Sequence, residues 1–150
     1  RERMEQAGLS SMRVILFERD GLPFRRAEHY PPQSVAAFGS HDLPPFQAWW
    51  KQHRDDADGM ALRDAIGPAR DAGAASVAMH KFLGDSAAKV SLAQLDDLAG
   101  SETQINVPGT TVERPNWRHR LPHTVPEIFA APQANRLIAA ITPGRASAKS

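Results

Sequence analysis

Ser40-His41-Asp42-Leu43-Pro44 sets a carboxylate beside an imidazole, directly after the apolar run from Ser34 to Gly39. A buried run fixes the backbone, and the proline-forced turn after it aims both side chains at one rim. Such a pair stabilises positive charge or holds hydroxyl groups. The competing reading is structural, because Asp is a favoured helix N-cap and Asp42 stands just ahead of a predicted helix. A second constellation is Gln104-Ile105-Asn106-Val107-Pro108-Gly109-Thr110-Thr111, followed by Arg114-Pro115-Asn116-Trp117-Arg118. There a Pro-Gly turn presents the Asn106 amide, and a plain structural turn is the alternative.

Other chemistry-bearing residues read as ordinary. Trp49 and Trp50 are platforms suited to a sugar ring or a base. Neighbours on a helix do not face the same way, and both are read as structural anchors. His119 and His123 have a metal-like spacing, but Pro122 lies between them and no acidic partner is near. A two-histidine site depends on one helix face, so no metal is expected, and no cofactor either. Glu18 and Asp20 read as solvated loop charges. No Gly-rich phosphate loop is present, and a Ser-His-Asp pairing has no local support.

These residues need elements to position them. Short apolar runs rich in β-branched residues predict buried strands over 12–17, 34–39 and 90–95. Gly21, Pro23, Pro31 and Pro32 make 18–32 a loop, and residues 55–59 read as another. Pro44-Pro45 predicts a helix from Phe46 to about Arg54, since proline suits a first helical turn. Further helices are expected over 1–7, 60–66 and 74–83, and over 126–141 with an interruption at Pro132. Residues 100–116 form a long loop, and 142–150 a disordered tail. Strands separated by crossovers are the pattern of a parallel α/β sheet. The candidate residues then follow strand C-termini, where (β/α)8 barrels build their active sites.

Composition adds bounds. The chain has 150 residues, 41 % hydrophobic and 23 % charged, with net charge +1 and no cysteine. Nothing there steers it to nucleic acid, and no apolar run has membrane-spanning length. A cytoplasmic setting without disulfides or thiolate metal sites fits. The sequence opens on Arg1 inside a predicted helix, and is read as part of something longer. A full barrel takes about 250 residues, and three strands do not close one.

Several segments in series resemble the amylomaltase family of 4-α-glucanotransferases. They are Ala27-Glu28-His29-Tyr30-Pro31-Pro32; Gly39-Ser40-His41-Asp42-Leu43-Pro44 with Trp49-Trp50; Leu95-Asp96-Asp97-Leu98-Ala99-Gly100; and Gln104 to Thr110 with Glu113 to Arg118. Ser40, Pro45 and Asp96 stand where that family commonly has Thr, Thr and Glu. The resemblance covers roughly residues 1 to 122. It implies the C-terminal part, about strands six to eight with their helices, of a (β/α)8 barrel filling residues 1–141. It implies retaining transfer of α-1,4-glucan segments between maltooligosaccharides or to glucose. By it Asp42 is the third carboxylate, supporting an oxocarbenium-like transition state, while His41 and Asn106 contact substrate. The nucleophile and acid/base would lie on segments ahead of Arg1, so the 150 residues alone are expected to be inactive. A non-catalytic carbohydrate-binding remnant and a hydrolytic relative are the competing functions.

Overall fold

The structure, a computed structural model, describes residue 3 and residues 6–142. The tail expected over 142–150 therefore lies outside the described residues from 143 on. Of the helix expected over 1–7, residues 3 and 6 are described as helical, and Ala7 N–H donates to the Arg3 carbonyl at 3.1 Å.

Three short strands form one parallel sheet in the order β1 (Ser11–Val14), β2 (Ser34–Ala37), β3 (Val90–Leu92). Pairing runs Met12 to Val35 to Val90, and Val14 to Ala37 to Leu92. The parallel α/β expectation holds, but each strand is shorter than its apolar run. Ile15–Phe17 turns into a 3-10 helix. Beyond Leu92 the chain enters a one-turn helix, α4 (Leu95–Leu98). Past Ala37, Phe38 leaves the ladder yet stays buried.

The remaining helices among the described residues are a second 3-10 turn, Ala27–His29, inside the loop expected over 18–32, and α1 (Phe46–His53), α2 (Ala57–Ile66), α3 (Ala72–Gly84), α5 (Val125–Ala130) and α6 (Pro132–Ile141). Helix α2 begins inside the loop expected over 55–59, because Asp56 caps it by accepting from the amides of Asp58 and Gly59. Asp71 caps α3 the same way through Ala74. Thr124 and Glu127 make a reciprocal capping box for α5. Proline at the first position of α6 fits the break foreseen at Pro132.

The main core gathers Ile15, Tyr30, Phe38, Phe46, Leu62 and Met79 around both tryptophans. Trp49 packs against Phe38 and His53, and Trp50 stacks on Phe46, so both are core, as expected. A smaller cluster joins Leu98, Ile128, Ala134 and Leu137, seating α4 and α5 against α6. Glu18 corrects its expectation as a solvated charge. It is nearly buried, and its two oxygens meet Arg13 at 3.2 Å and Arg25 at 3.3 Å. Asp20 is exposed and pairs with Arg25 at 2.8 Å. Among the described residues no helix is long and apolar enough to cross a membrane.

Candidate active site

Strand β2 stops at Ala37, and a tight turn follows. The Ser40 carbonyl accepts from the Leu43 amide at 3.1 Å, and the Ser40 hydroxyl accepts from the Asp42 amide at 3.3 Å. This turn pushes His41 and Asp42 outward, each about half exposed. His41 Nε2 lies 3.3 Å from Asp42 Oδ2. The two residues first singled out by type thus do share one rim.

The loop after α4 closes over the same rim. Asn106 Nδ2 donates to Asp42 Oδ1 in a short hydrogen bond across 64 positions of chain. Gln104 Nε2 donates to the Asp42 carbonyl at 2.9 Å and to the Asn106 carbonyl at 2.8 Å. Asp42 is therefore held by side chain and main chain together. One carboxylate oxygen receives an amide proton and the other faces an imidazole. What remains exposed is an oriented anion, the group that stabilises positive charge developing opposite it.

The Asn106 loop is itself rigidly built. Thr110 N–H donates to the Val107 carbonyl at 3.2 Å, and Gly109 takes φ 83°, the left-handed position that a Pro-Gly turn requires. The Asn116 side chain staples the turn shut. Its oxygen accepts from the Val107 amide at 2.9 Å, and its nitrogen donates to the carbonyls of Val107 at 3.2 Å and Thr110 at 3.1 Å.

Three contributors stood in the quoted segments without a role of their own. Gln104 and Asn116 sit inside recognised segments, but their hydrogen-bonding work depends on a loop fold that spacing does not disclose. Trp117 is the third. Its φ of 61° is the one left-handed value among the described non-glycine residues, and its ring is largely exposed. That ring lies 5.3 Å from the His41 ring, so His41 touches the carboxylate on one side and an aromatic wall on the other. Such strain in a bulky residue is retained where the surroundings enforce it, often beside a site.

The capping alternative for Asp42 fails. Helix α1 has Pro45 at its N-cap, with no side-chain oxygen to offer. Its first amide, Phe46 N–H, donates 2.7 Å to Asp97 Oδ1, a carboxylate on α4 that is only 1 % exposed. Burial pushes Asp97 up to about 7, opposed by the Phe46 amide and helped by neighbouring Asp96. His119 and His123 lie exposed in the loop before α5. Among the described residues no group of three or more His, Cys, Asp or Glu is placed to hold a metal. A separate cleft of about 640 Å³, lined among others by Phe24, Met60 and Phe82, includes none of the rim residues.

A family model described as 4-alpha-glucanotransferase matches residues 1–125. The 4-alpha-glucanotransferase of Haemophilus influenzae (strain ATCC 51907 / DSM 11121 / KW20 / Rd) is 26 % identical over 180 aligned positions, covering 97 % of this chain and 26 % of that protein. The crystal structure of amylomaltase from Corynebacterium glutamicum matches with a TM-score of 0.80 at 19 % identity, covering 94 % of this chain and 26 % of that one. The amylomaltase from Streptococcus agalactiae, in complex with acarbose, matches with a TM-score of 0.75 at 16 % identity, covering 94 % of this chain and 28 % of that one. At such identities the structural likeness speaks for fold alone. The chain spans about a quarter of the length of these relatives.

Proposed function

The chain belongs to the 4-alpha-glucanotransferase family, and from that premise we propose that it forms the C-terminal part of a catalytic (β/α)8 barrel, with β1, β2 and β3 as its sixth, seventh and eighth strands. The barrel transfers α-1,4-glucan segments between maltooligosaccharides or to glucose, with retention. Asp42 is its third carboxylate. It forms no bond to the sugar; as the ring gains oxocarbenium character, the fixed anion becomes more favourable. His41 and Asn106 hold it and face the substrate hydroxyls. The nucleophile and the acid/base belong to parts of the barrel outside these 150 residues, and the 150 residues alone do not catalyse transfer.

The observation that carries this reading is the grip on Asp42: an exposed carboxylate past the end of β2, fixed by Asn106 from the loop beyond β3. A solvated surface charge has no need of a partner 64 residues away. The substrate in this reading is a maltooligosaccharide or glucan.

The test is maltotriose disproportionation by the natural full-length protein, read as glucose release. Asp42→Ala lowers kcat at least ~100-fold, in the range lost with a preorganised charge-stabilising group. Its thermal midpoint stays near the wild-type value, because the side chain is half exposed. An Asp42→Ala enzyme within a few-fold of wild type would remove Asp42 from the chemistry.

A further inference from the structure

We infer that Asp97 is a positioning residue for Asp42: it clamps the far end of the turn that carries the candidate site, and transfer rate depends on that clamp. The inference rests on the transferase reading above and adds a residue that reading does not use.

The turn from Gly39 to Phe46 has two ends, and α4 touches both. At the near end, Gly39 lies against the residue that starts α4. A β-carbon added at Gly39 would sit 3.2 Å from Gln94 Oε1 and 3.5 Å from Leu43 Cβ. Any larger residue there would require the Gln94 side-chain end to give by a few tenths of an ångström. At the far end, Asp97 Oδ1 accepts from Phe46 N–H at 2.7 Å. Pro44 and Pro45 have no amide proton, so Phe46 offers the first main-chain donor after Leu43. Helix starts leave such donors unsatisfied, and Pro45 at the N-cap supplies no oxygen. Asp97 fills that role from another element, 51 residues away.

The cost of this arrangement points to a purpose beyond capping. A serine or aspartate at position 45 would cap α1 locally and stay solvated. Here a carboxylate is instead buried to 1 % exposure, and its second oxygen has no hydrogen-bond partner. What the buried group achieves is registration. Only two residues separate the end of β3 from the start of α4, and the loop leaving it delivers Gln104 and Asn106 to Asp42. Fixing Phe46 to Asp97 thus fixes the His41-Asp42 turn relative to the loop that grips it. A misplacement of about 1 Å in such a group costs up to ~100-fold in rate.

The experiment measures kcat and KM for maltotriose disproportionation in the full-length protein, well below the melting temperature. Asp97→Ala is expected to lower kcat about tenfold or more, with KM changed less. Asp97→Asn keeps an oxygen in place for Phe46 N–H, and returns kcat to within about threefold of wild type. Leu62→Ala is the control, a fully buried core residue on α2. It lowers the melting temperature and leaves kcat unchanged. Where Asp97→Ala does not fold, Asp97→Glu takes its place. It retains the carboxyl group but displaces the acceptor by one methylene, and lowers kcat while Asp97→Asn does not. An unchanged kcat in Asp97→Ala, or in Asp97→Glu when that variant substitutes for it, overturns the inference. So does an Asp97→Asn enzyme as impaired as the variant it is compared with. An inactive wild type is a different result, since it removes the transferase reading and this inference with it.

Discussion

Asp42 and Asp97 show how little residue type says about role. In the sequence Asp42 has the look of a helix cap, while Asp97 stands only as a member of the Leu95 to Gly100 segment, with no role of its own. The structure gives each a different place. Asp42 projects to the rim, while Asp97 is buried under the helix start that Asp42 does not cap. The pair at 41–42 was legible from type and position, because a strand end followed by a proline turn presents its side chains. Asn106 was named as a substrate contact only through the resemblance, since spacing alone left open a turn that presents its amide or a plain structural turn. Asp97 as a support was not legible, although Leu95 and Leu98 on either side hint that the turn carrying it is tucked in. Its burial has a pH consequence. With Asp97 held up to about 7, the folded state keeps a proton that the unfolded chain releases near the usual value of 3.8. This contribution is whole below about 3.8 and is lost as pH rises towards 7. Asp97→Asn imitates the protonated form throughout. Melts of both proteins from pH 5 to 8 should therefore show the variant gaining on wild type as pH rises. The gap widens by at most ~1.4 kcal/mol per pH unit and levels off above the titration. A pH-independent gap would mean that Asp97 does not titrate in this window.

At the scale of elements, the helices were easier to read than the strands. Capping residues and prolines punctuate helices locally: Asp56, Asp71, Thr124 and Pro132 each sit where the observed helix begins. The strands were overextended because burial continues where pairing ends. Ile15 and Phe38 are each 1 % exposed, yet both lie outside the ladder. An apolar run records burial, and burial in a core does not require a strand partner. Packing between helices leaves its own mark at Gly84. The end of α3 meets the end of α6 so closely that a β-carbon at Gly84 would lie 2.5 Å from the Ile141 carbonyl oxygen. The opposing atoms are backbone, which does not move aside as a side-chain tip does. Gly84→Ala therefore forces the helices apart, at a cost of ~1–3 kcal/mol. Thermal melting should show a fall of roughly 2–10 °C. Activity below the transition should persist, because neither helix carries a rim residue. A melting temperature equal to wild type would mean that the two helix ends do not approach as described.

The whole molecule is organised around a sheet with two unlike faces. Ser91 points to the helical side, where its hydroxyl donates to the Leu83 carbonyl at 2.6 Å. The paired rows Met12–Val35–Val90 and Val14–Ala37–Leu92 belong to the other side, and every member is apolar. Three of them are well exposed, Met12 at 52 %, Val90 at 38 % and Leu92 at 45 %. Parallel sheets are normally covered on both faces, and an apolar face of this kind is what a barrel turns inward. Leu92→Lys separates the two possible fates of that face. If the face lines a barrel in the full-length protein, the new ammonium group is buried without a partner there. The variant then loses several kcal/mol or fails to fold. In the 150 residues produced alone, the same lysine meets water. It should reduce binding of the dye ANS and lower self-association, both of which the open face promotes. Opposite signs of effect in the two settings are the expected pattern. A full-length protein that tolerates Leu92→Lys with an unchanged melting temperature would show that this face stays in solvent, and the barrel placement of β1, β2 and β3 would fall with it.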